Sequence, residues 1–228
     1  MIRGLTGVMF ERKSDGAWTN PYVTDGLVSM FDGEWNNGGG VHSDTELSDI
    51  VSGYAMTKPA QWGIAAKHLA VTSTAPMTVN QYRGGAAITV EIVTAFTDNN
   101  LTRECVFEDS NANTSFRIKR QSNGLFCSFV GSGVVIPIQS GVATYTVTQS
   151  DTPSNPNHVT EGFINGVYQS YAYFGHKMLG RYGGSFRIGR NVYTAYQNIN
   201  SIRIYDRVLT NAEIAANAAV DASRFNIA

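Results

Sequence analysis

Two glutamates four residues apart are the first feature of this sequence that could do chemistry. Glu104 and Glu108 enclose the segment Cys105-Val106-Phe107, which reads as part of a β-strand. In a strand every second side chain points to the same face, so both carboxylates would face one way. Two carboxylates on one face can cleave a glycosidic bond, one as nucleophile and the other as acid/base. The alternative interpretation is a solvated strand face.

Aromatic side chains beside polar ones are the second such feature. Flat rings stack on the C–H groups of a sugar, and planar polar groups bind its hydroxyls. The ligand-binding candidates are Trp35, His42, Tyr82, Arg83, Tyr171 and Tyr173. Tyr171 and Tyr173 share one side of a predicted strand, and the other tyrosine candidates are Tyr168, Tyr182, Tyr193 and Tyr196. Packing in the core or between subunits is the competing interpretation of each ring.

The composition restricts the partners that these residues could serve. The 228-residue chain has a formal net charge of -1 and only 15% charged residues, which disfavours nucleic acid. The sequence shows no secretory signal and no membrane span. We therefore expect the protein to act where it is made, or to leave by lysis or as part of a particle. Cys105 and Cys127 leave a disulfide and two buried thiols open as alternatives.

Short strands must position the candidate residues. Alternation over 86–96 predicts one long strand, and Asn165-Gly166 between two strand-like segments predicts a tight hairpin. In the segment 25–33, Leu27, Ser29 and Phe31 are predicted to share one face. About a dozen such strands and one helix predict an all-β fold, a two-sheet antiparallel jelly-roll sandwich. Residues 1–24 are predicted to form an N-terminal arm, for which a docking segment of a larger assembly and an ordinary first strand are the alternatives, and residues 25–228 are predicted to form a single domain.

The clearest local structure is a strand that turns into a helix near the C-terminus. From Ile199 to Tyr205 the residues alternate, with Ile202 and Ile204 on one face and Arg203 on the other, which predicts a half-buried strand that closes a sheet. Thr210 and Glu213 have the spacing of a capping box, which predicts the start of a helix that seals the sheet. Its predicted apolar positions are Ile214, Ala215, Ala218 and Val220.

Several segments follow one another in a recognisable order. They are 25–33 with the turn 47–53, the hairpin 163–167, the strand 186–189 and the strand–helix ending 202–214. Together they resemble the concanavalin A-like (laminin G-like) jelly-roll domains over residues 25–225. The segments 26–42 and 215–225 are also similar to variants carried by bacteriophage structural proteins and gut-bacterial surface proteins.

The resemblance implies three kinds of site. Retaining glucanases of this fold carry Glu-x-Asp-x-Glu, but Val106 replaces the Asp, so no catalytic residue is predicted. Lyases of the fold use an Arg, a His or Gln, and a Tyr. The chain contains the candidates Arg117, Arg120, Tyr145 and His158, but their spacing does not single them out as a site. Related domains bind calcium through loop oxygens, for which the candidates are Asp32, Asn36, Asp44 and Asp49, with Asp98, Asn99 and Asn100 in a second loop. No cofactor is otherwise predicted, and no transition-metal spacing is present.

These observations predict a non-catalytic carbohydrate-binding, adhesion or decoration module on a phage virion or a similar extracellular surface. The expected partners are a glycan or host-surface polysaccharide, other virion proteins and further copies of the chain, with neither nucleic acid nor a membrane. A glycan-cleaving enzyme of the same fold and a purely structural virion subunit are the alternatives.

Overall fold

In the part of the chain that the computed structural model describes, two main antiparallel sheets, two small ribbons and a C-terminal helix are present, which confirms the predicted all-β sandwich. The structure describes residues 11–12, 18–33, 46–51, 55–57, 63–65, 68–71, 77–83, 87–96, 105–109, 116–121, 124–129, 132–150, 158–174, 183–190 and 197–228. Within these ranges, no helix has both the length and the apolar character needed to span a membrane.

The strands of the described part are short at the beginning of the chain and longer towards its end. They are β1 (Glu11–Arg12), β2 (Trp18–Thr19), β3 (Leu27–Asp32), β4 (Glu46–Ser48), β5 (Ala55–Thr57), β6 (Gly63–Ala65), β7 (His68–Val71), β8 (Met77–Arg83), β9 (Ala87–Phe96), β10 (Cys105–Asp109), β11 (Phe116–Gln121), β12 (Gly124–Phe129), β13 (Ser132–Ile136), β14 (Val142–Ser150), β15 (His158–Ile164), β16 (Val167–Phe174), β17 (Gly183–Arg190) and β18 (Gln197–Tyr205), followed by helix α1 (Asn211–Phe225).

The two main sheets face each other across an apolar core. One sheet has the order β16-β15-β14-β9-β18-β7-β6, with β3 also paired to β18, and the other has the order β13-β12-β11-β10-β17-β8. Two small ribbons, β1-β2 and β4-β5, are not hydrogen-bonded into either sheet, although Leu47 of β4 contributes to the core between the sheets. The core between the sheets is built mainly from aliphatic side chains, including Ile88, Ile92, Ile118, Ile188 and Ile202. Burial of such side chains is the main driving force for this fold.

Strand β18 lies inside its sheet, which corrects the prediction that it closes one. It pairs with β9 on one side and with β3 and β7 on the other. The predicted alternation is present, because Ile202 and Ile204 face the core and Arg203 faces away from it. The prediction of a half-buried strand is wrong, since Arg203 and Tyr205 are also fully buried. Helix α1 covers their face of the sheet.

Helix α1 begins with the capping box that the sequence predicts. The Thr210 side chain accepts a hydrogen bond from the Glu213 N–H, and the Glu213 carboxylate accepts one from the Thr210 N–H. The buried stripe of the helix contains polar as well as apolar residues: Ile214, Asn217, Ala218, Asp221 and Phe225. Of the predicted apolar positions, Ala215 is exposed and Val220 only half-buried, because both lie beside this stripe.

Two local details of the sheet matter for the faces of its strands. The register of β3 against β18 shifts beside Val28. Simple alternation predicts that Leu27 shares a face with Ser29 and Phe31, but because of this shift Leu27 packs with Met30 instead. The Asn165-Gly166 hairpin between β15 and β16 is confirmed, and both residues have positive φ, 49° and 79°. Positive φ at both turn residues suits the twist of a two-residue hairpin.

Part of the predicted arm packs against the domain. Tyr22 is buried, and its hydroxyl donates a 2.7 Å hydrogen bond to Asp221 of helix α1. The Val23 N–H likewise donates to Asn217 of that helix. Residues 1–10 lie outside the described part of the chain, so the docking role of the arm stays a prediction.

Candidate functional site

Three tyrosines on strand β16 form the largest group of exposed rings in the described part of the chain. Tyr168, Tyr171 and Tyr173 are 44%, 52% and 55% exposed, and Val167 beside them is 63% exposed. Strand β16 is the edge strand of its sheet. We call Tyr168, Tyr171, Tyr173 and the neighbouring Glu161 the tyrosine surface. Exposed aromatic rings grouped on one face mark a binding surface more often than chance scatter does.

A β-bulge places the three rings on one face of the sheet. Tyr168 lies opposite Phe163 in β15, and Tyr171 lies opposite Glu161, although a regular register would pair Glu161 with Ser170. The shift falls beside Gln169, which becomes the extra residue of β16. In a regular strand, residues three apart point to opposite faces. Because of the extra residue, Tyr168 and Tyr171 point to the same face. Tyr173 follows Tyr171 by two and therefore shares that face.

The rings of the tyrosine surface touch one another and the structure beneath them. Tyr171 and Tyr173 meet edge to face with ring centroids 4.9 Å apart, and Tyr168 meets Phe163 in the same way at 5.6 Å. Phe163 is buried with Leu209 and Ile214 at the start of helix α1. Such contacts restrict the rings to few rotamers, so that little ordering is needed when a ligand binds.

Glu161 supplies the polar part of the tyrosine surface. The Thr148 hydroxyl donates to its carboxylate at 3.5 Å, and the opposing ring is Tyr171. Desolvation and then the Glu161 charge raise the pKa of Tyr168, while a hydrogen bond with Tyr171 is the first cause that raises the pKa of Tyr173. The phenols of Tyr168 and Tyr173 therefore stay protonated at neutral pH, and the surface offers hydroxyl groups and a carboxylate beside flat apolar rings.

The structure brings together only some of the ligand-binding residues that the sequence predicts. Tyr171 and Tyr173 are neighbours, whereas Tyr82 and Arg83 lie at the end of β8 in the other sheet. Trp35 and His42 lie outside the described residues, so their role stays a prediction. Sequence reasoning missed Glu161, because its partner in the regular hairpin register is Ser170 and only the bulge moves it opposite Tyr171.

Two of the calcium candidates have partners from the protein itself. Arg224 binds both Asp32 carboxylate oxygens, at 2.8 and 2.9 Å. Asp49 accepts hydrogen bonds from the Ser29 hydroxyl and from the Met30 N–H. Asn36 and Asp44 lie outside the described residues, and within those residues no three His, Cys, Asp or Glu side chains are grouped to hold a metal ion. Calcium binding at these loops stays a prediction.

Of the two carboxylates considered for catalysis, the structure describes the position of Glu108 in β10. Glu104 is outside the described residues, and the pairing of β10 with β11 shifts register between Cys105 and Phe107. The pairing of β10 with β17 is regular over the same residues, and the absence of a catalytic role for this pair stays a prediction. Cys127, in the neighbouring β12, is a free and buried thiol.

Of the four residues considered for a lyase, the structure places two near a common ring. Arg120 lies over the Phe96 ring at 5.1 Å, and the same ring meets Tyr145 at 5.9 Å. Arg117 lies on the same strand at an odd spacing from Arg120, which puts it on the opposite face. His158 begins β15 in the other sheet.

A group of strongly perturbed titratable side chains lies beneath helix α1, away from the tyrosine surface. Arg203 donates to Glu91 at 2.8 Å and to Asp221 at 2.6 and 2.9 Å, and all three side chains are fully buried. Burial raises the pKa of Glu91. Burial alone would lower the pKa of Arg203, but Asp221 and Glu91 outweigh it and raise that pKa well above its usual value. With every partner internal and no access for a ligand, this buried network holds the helix on the sheet.

Comparison with known proteins supports the fold of the chain. No family model and no curated protein matches the sequence. Among solved structures, the receptor binding domain of botulinum neurotoxin D is similar with a TM-score of 0.66 at 11% identity, covering 86% of this chain and 53% of that one. A structure of botulinum neurotoxin type C, a toxin whose cell entry is described as dependent on two ganglioside molecules, has a TM-score of 0.65 at 13% identity. The match covers 86% of this chain and 51% of that one.

An enzyme also shares this fold. Trypanosoma rangeli sialidase is similar with a TM-score of 0.58 at 12% identity, covering 91% of this chain and 35% of the sialidase. The chain thus spans about half the length of the toxin domains and about a third of the sialidase. At these identities the likeness shows a shared β-sandwich, and function must be argued from the surface of this chain.

Proposed function

We propose that the protein is a carbohydrate-binding module whose glycan lies on the tyrosine surface. The observation that carries this proposal is the alignment of Tyr168, Tyr171 and Tyr173 on one exposed face with Glu161 beside them. The rings offer apolar faces to the C–H groups of a sugar, and Glu161 and the phenols bind its hydroxyls. One similar structure is that of a toxin whose cell entry is described as dependent on gangliosides, which supports the view that this fold accommodates glycans, although gangliosides are sialylated and this surface is expected to prefer uncharged sugars or amino sugars.

The charge of the tyrosine surface indicates which glycans it accepts. Within strands β14, β15 and β16, the acidic and basic residues are Glu161 and His158, of which only Glu161 lies on the tyrosine surface. A carboxylate beside the rings repels a carboxylate on the ligand and accepts hydrogen bonds from hydroxyl or ammonium groups. The proposed ligand is therefore a neutral sugar or an amino sugar, and sialylated glycans or uronates are expected to bind more weakly.

A glycan array probed with the purified protein and with two variants tests the proposal. Tyr171→Ala removes a ring of the surface, and Gln169→Ala changes an exposed residue of the same strand whose amide donates only to the Val167 carbonyl. We expect the wild type and Gln169→Ala to bind the same neutral or amino-sugar glycans and Tyr171→Ala to lose them. Binding by all three proteins alike, or by none, would overturn the proposal.

The proposed module acts by binding and does not cleave the glycan. Val106 in place of an Asp supports this view, whereas the similar sialidase makes cleavage the competing proposal. Incubation of the array ligands with the wild type and with Glu104→Gln separates the two. Product formed by the wild type and abolished in the variant would favour the enzyme.

We also propose, on the strength of the sequence resemblance, that the module is carried by a phage particle or a similar surface assembly as a homo-oligomer. The residues that support this are the segments 26–42 and 215–225. Mass spectrometry of purified particles tests the location, and analytical ultracentrifugation tests self-association. A protein that is monomeric and absent from particles would contradict this proposal while leaving glycan binding intact.

A further inference from the structure

Arg120 is a buried cation without the partners that such a group normally has. The residue lies on β11 and is only 4% exposed. Among the described residues its Nε and Nη1 atoms have no hydrogen-bond partner. Its neighbour is the Phe96 ring, 5.1 Å from the guanidinium carbon. A ring face attracts a cation but accepts none of its N–H hydrogen bonds in ordinary geometry.

The contrast with another buried arginine in the same chain shows what is missing. Arg203 is fully buried, and two carboxylates, Glu91 and Asp221, neutralise it and accept its hydrogen bonds. Buried charges are normally paired in this way because desolvation without compensation is costly. Arg120 has the burial of such a residue but no carboxylate in hydrogen-bonding contact with Nε or Nη1.

The surroundings of Arg120 provide a second donor, which contacts an exposed segment of the chain. The Phe96 ring that Arg120 covers also packs against Tyr145, with ring centroids 5.9 Å apart. The Tyr145 oxygen accepts a 2.9 Å hydrogen bond from the Gln139 N–H, which leaves the phenol proton free to be donated. Burial raises the pKa of Tyr145, so this proton is retained at neutral pH. Gln139 belongs to the segment 137–141, four of whose five residues are exposed.

We propose that Arg120 and Tyr145 form a binding site for an oxyanion, the carboxylate, sulfate or phosphate group of a ligand that enters beside residues 137–141. A carboxylate, sulfate or phosphate supplies the acceptors that the guanidinium lacks, in charge-assisted hydrogen bonds, and the phenol adds one more donor. The site lies between the sheets, whereas the tyrosine surface lies on the outer face of one sheet. The proposal therefore does not depend on the proposed glycan site.

Ligand-dependent stability tests the oxyanion site directly. The unfolding midpoint of the wild type is measured against increasing D-glucuronate, sulfate and phosphate, with sodium chloride keeping the ionic strength constant. We expect at least one of the three to raise the midpoint saturably, by about 5 °C at 100-fold excess over its Kd. Which anion acts identifies whether the site prefers a carboxylate, a sulfate or a phosphate.

Two variants separate this binding from the general stabilisation that sulfate and phosphate give to proteins. Arg120→Met removes the guanidinium, and Lys119→Met removes the next charge on the same strand from the opposite face. We expect the affinity for the active anion to fall at least tenfold in Arg120→Met and to stay within about twofold in Lys119→Met. No saturable shift with any anion, or the same shift in Arg120→Met, would overturn the proposal.

The stability of Arg120→Met without added anion is an independent readout. Since the substitution removes a buried charge that has no partner, we expect the variant to be at least as stable as the wild type. A clear loss of stability in chloride alone would mean that the guanidinium is already compensated inside the protein, and the oxyanion site would then be wrong.

Discussion

Replacing Arg203 with methionine tests the account of how helix α1 is held on the sheet. The substitution keeps much of the volume of the side chain but removes its hydrogen bonds to Glu91 and Asp221. Both carboxylates would stay fully buried. Asp221 would keep its hydrogen bonds from the Tyr22 and Thr144 hydroxyls, so it would be hydrogen-bonded but without a counter-charge.

The size of the effect follows from this uncompensated charge. Removing one partner of a buried ion pair costs about 3–5 kcal/mol, a large part of the roughly 5–15 kcal/mol that stabilises a domain. With a urea slope of about 2 kcal/mol per M, the midpoint of unfolding should fall by about 2 M. Arg203→Met combined with Glu91→Gln and Asp221→Asn removes the charges as well, and we expect it to recover most of the loss.

The pH dependence gives the sharper test. The pKa of Glu91 in the folded protein is raised above its ordinary value of 4.5, first by burial, and Arg203 limits that rise. The folded state therefore binds a proton more readily than the unfolded state, and stability falls as pH increases from 4.5 through the raised pKa. In Arg203→Met the pKa should rise further, so the variant should lose less stability at pH 5 than at pH 7. Urea unfolding at both pH values measures this, and an equal loss, or one below about 1 kcal/mol, would refute the reasoning.

Two further predictions concern the hairpin and the helix start. Gly166→Ala should lower the free energy of unfolding by about 1–3 kcal/mol, because φ is +79° and a Cβ would lie 3.0 Å from the Ala215 Cα of helix α1. Gly141→Ala is the control, since φ is +82° but nothing lies within 4 Å of its Cβ, and it should lower the free energy of unfolding by only about 1 kcal/mol. Equal losses in urea unfolding would contradict the contact with the helix. Glu213→Ala should cost about 1 kcal/mol through the lost cap. Hydrogen bonds from Arg207 are the first cause that lowers the pKa of Glu213 to about 2, so this contribution should be complete above pH 4.5 and disappear as pH falls towards 2, and an acid titration unchanged by the substitution would count against it.

The sequence predicts those parts of the fold whose signals are local. Alternation along 86–96, the Asn165-Gly166 turn and the Thr210 capping box each specify their structure within a few residues, and each is confirmed. Strands β8 and β13 were not predicted, because Gly and polar residues interrupt their alternation. Short strands of this kind are specified by pairing with their neighbours more than by their own pattern.

The candidate site depends on features that local patterns do not contain. The bulge beside Gln169 turns Tyr168 to the side of Tyr171 and brings Glu161 opposite Tyr171, and its position is set by pairing across the hairpin. Helix α1, in contrast, carries a local sequence signal for its buried polar residues. Asn217 and Asp221 lie on the same helical stripe as Ile214, at spacings of three and seven, which is the pattern of buried positions.

The affinity of the protein for a glycan found on the array tests the central claim most directly. Isothermal titration calorimetry of the wild type, Tyr171→Ala with Tyr173→Ala, and Gln169→Ala compares the tyrosine surface with a neighbouring position. Because each ring contributes about 0.5–1.5 kcal/mol beyond its buried area, we expect the double variant to bind about 10- to 100-fold more weakly and Gln169→Ala to bind as the wild type does. Unchanged affinity in the double variant would contradict the assignment of the glycan to the tyrosine surface.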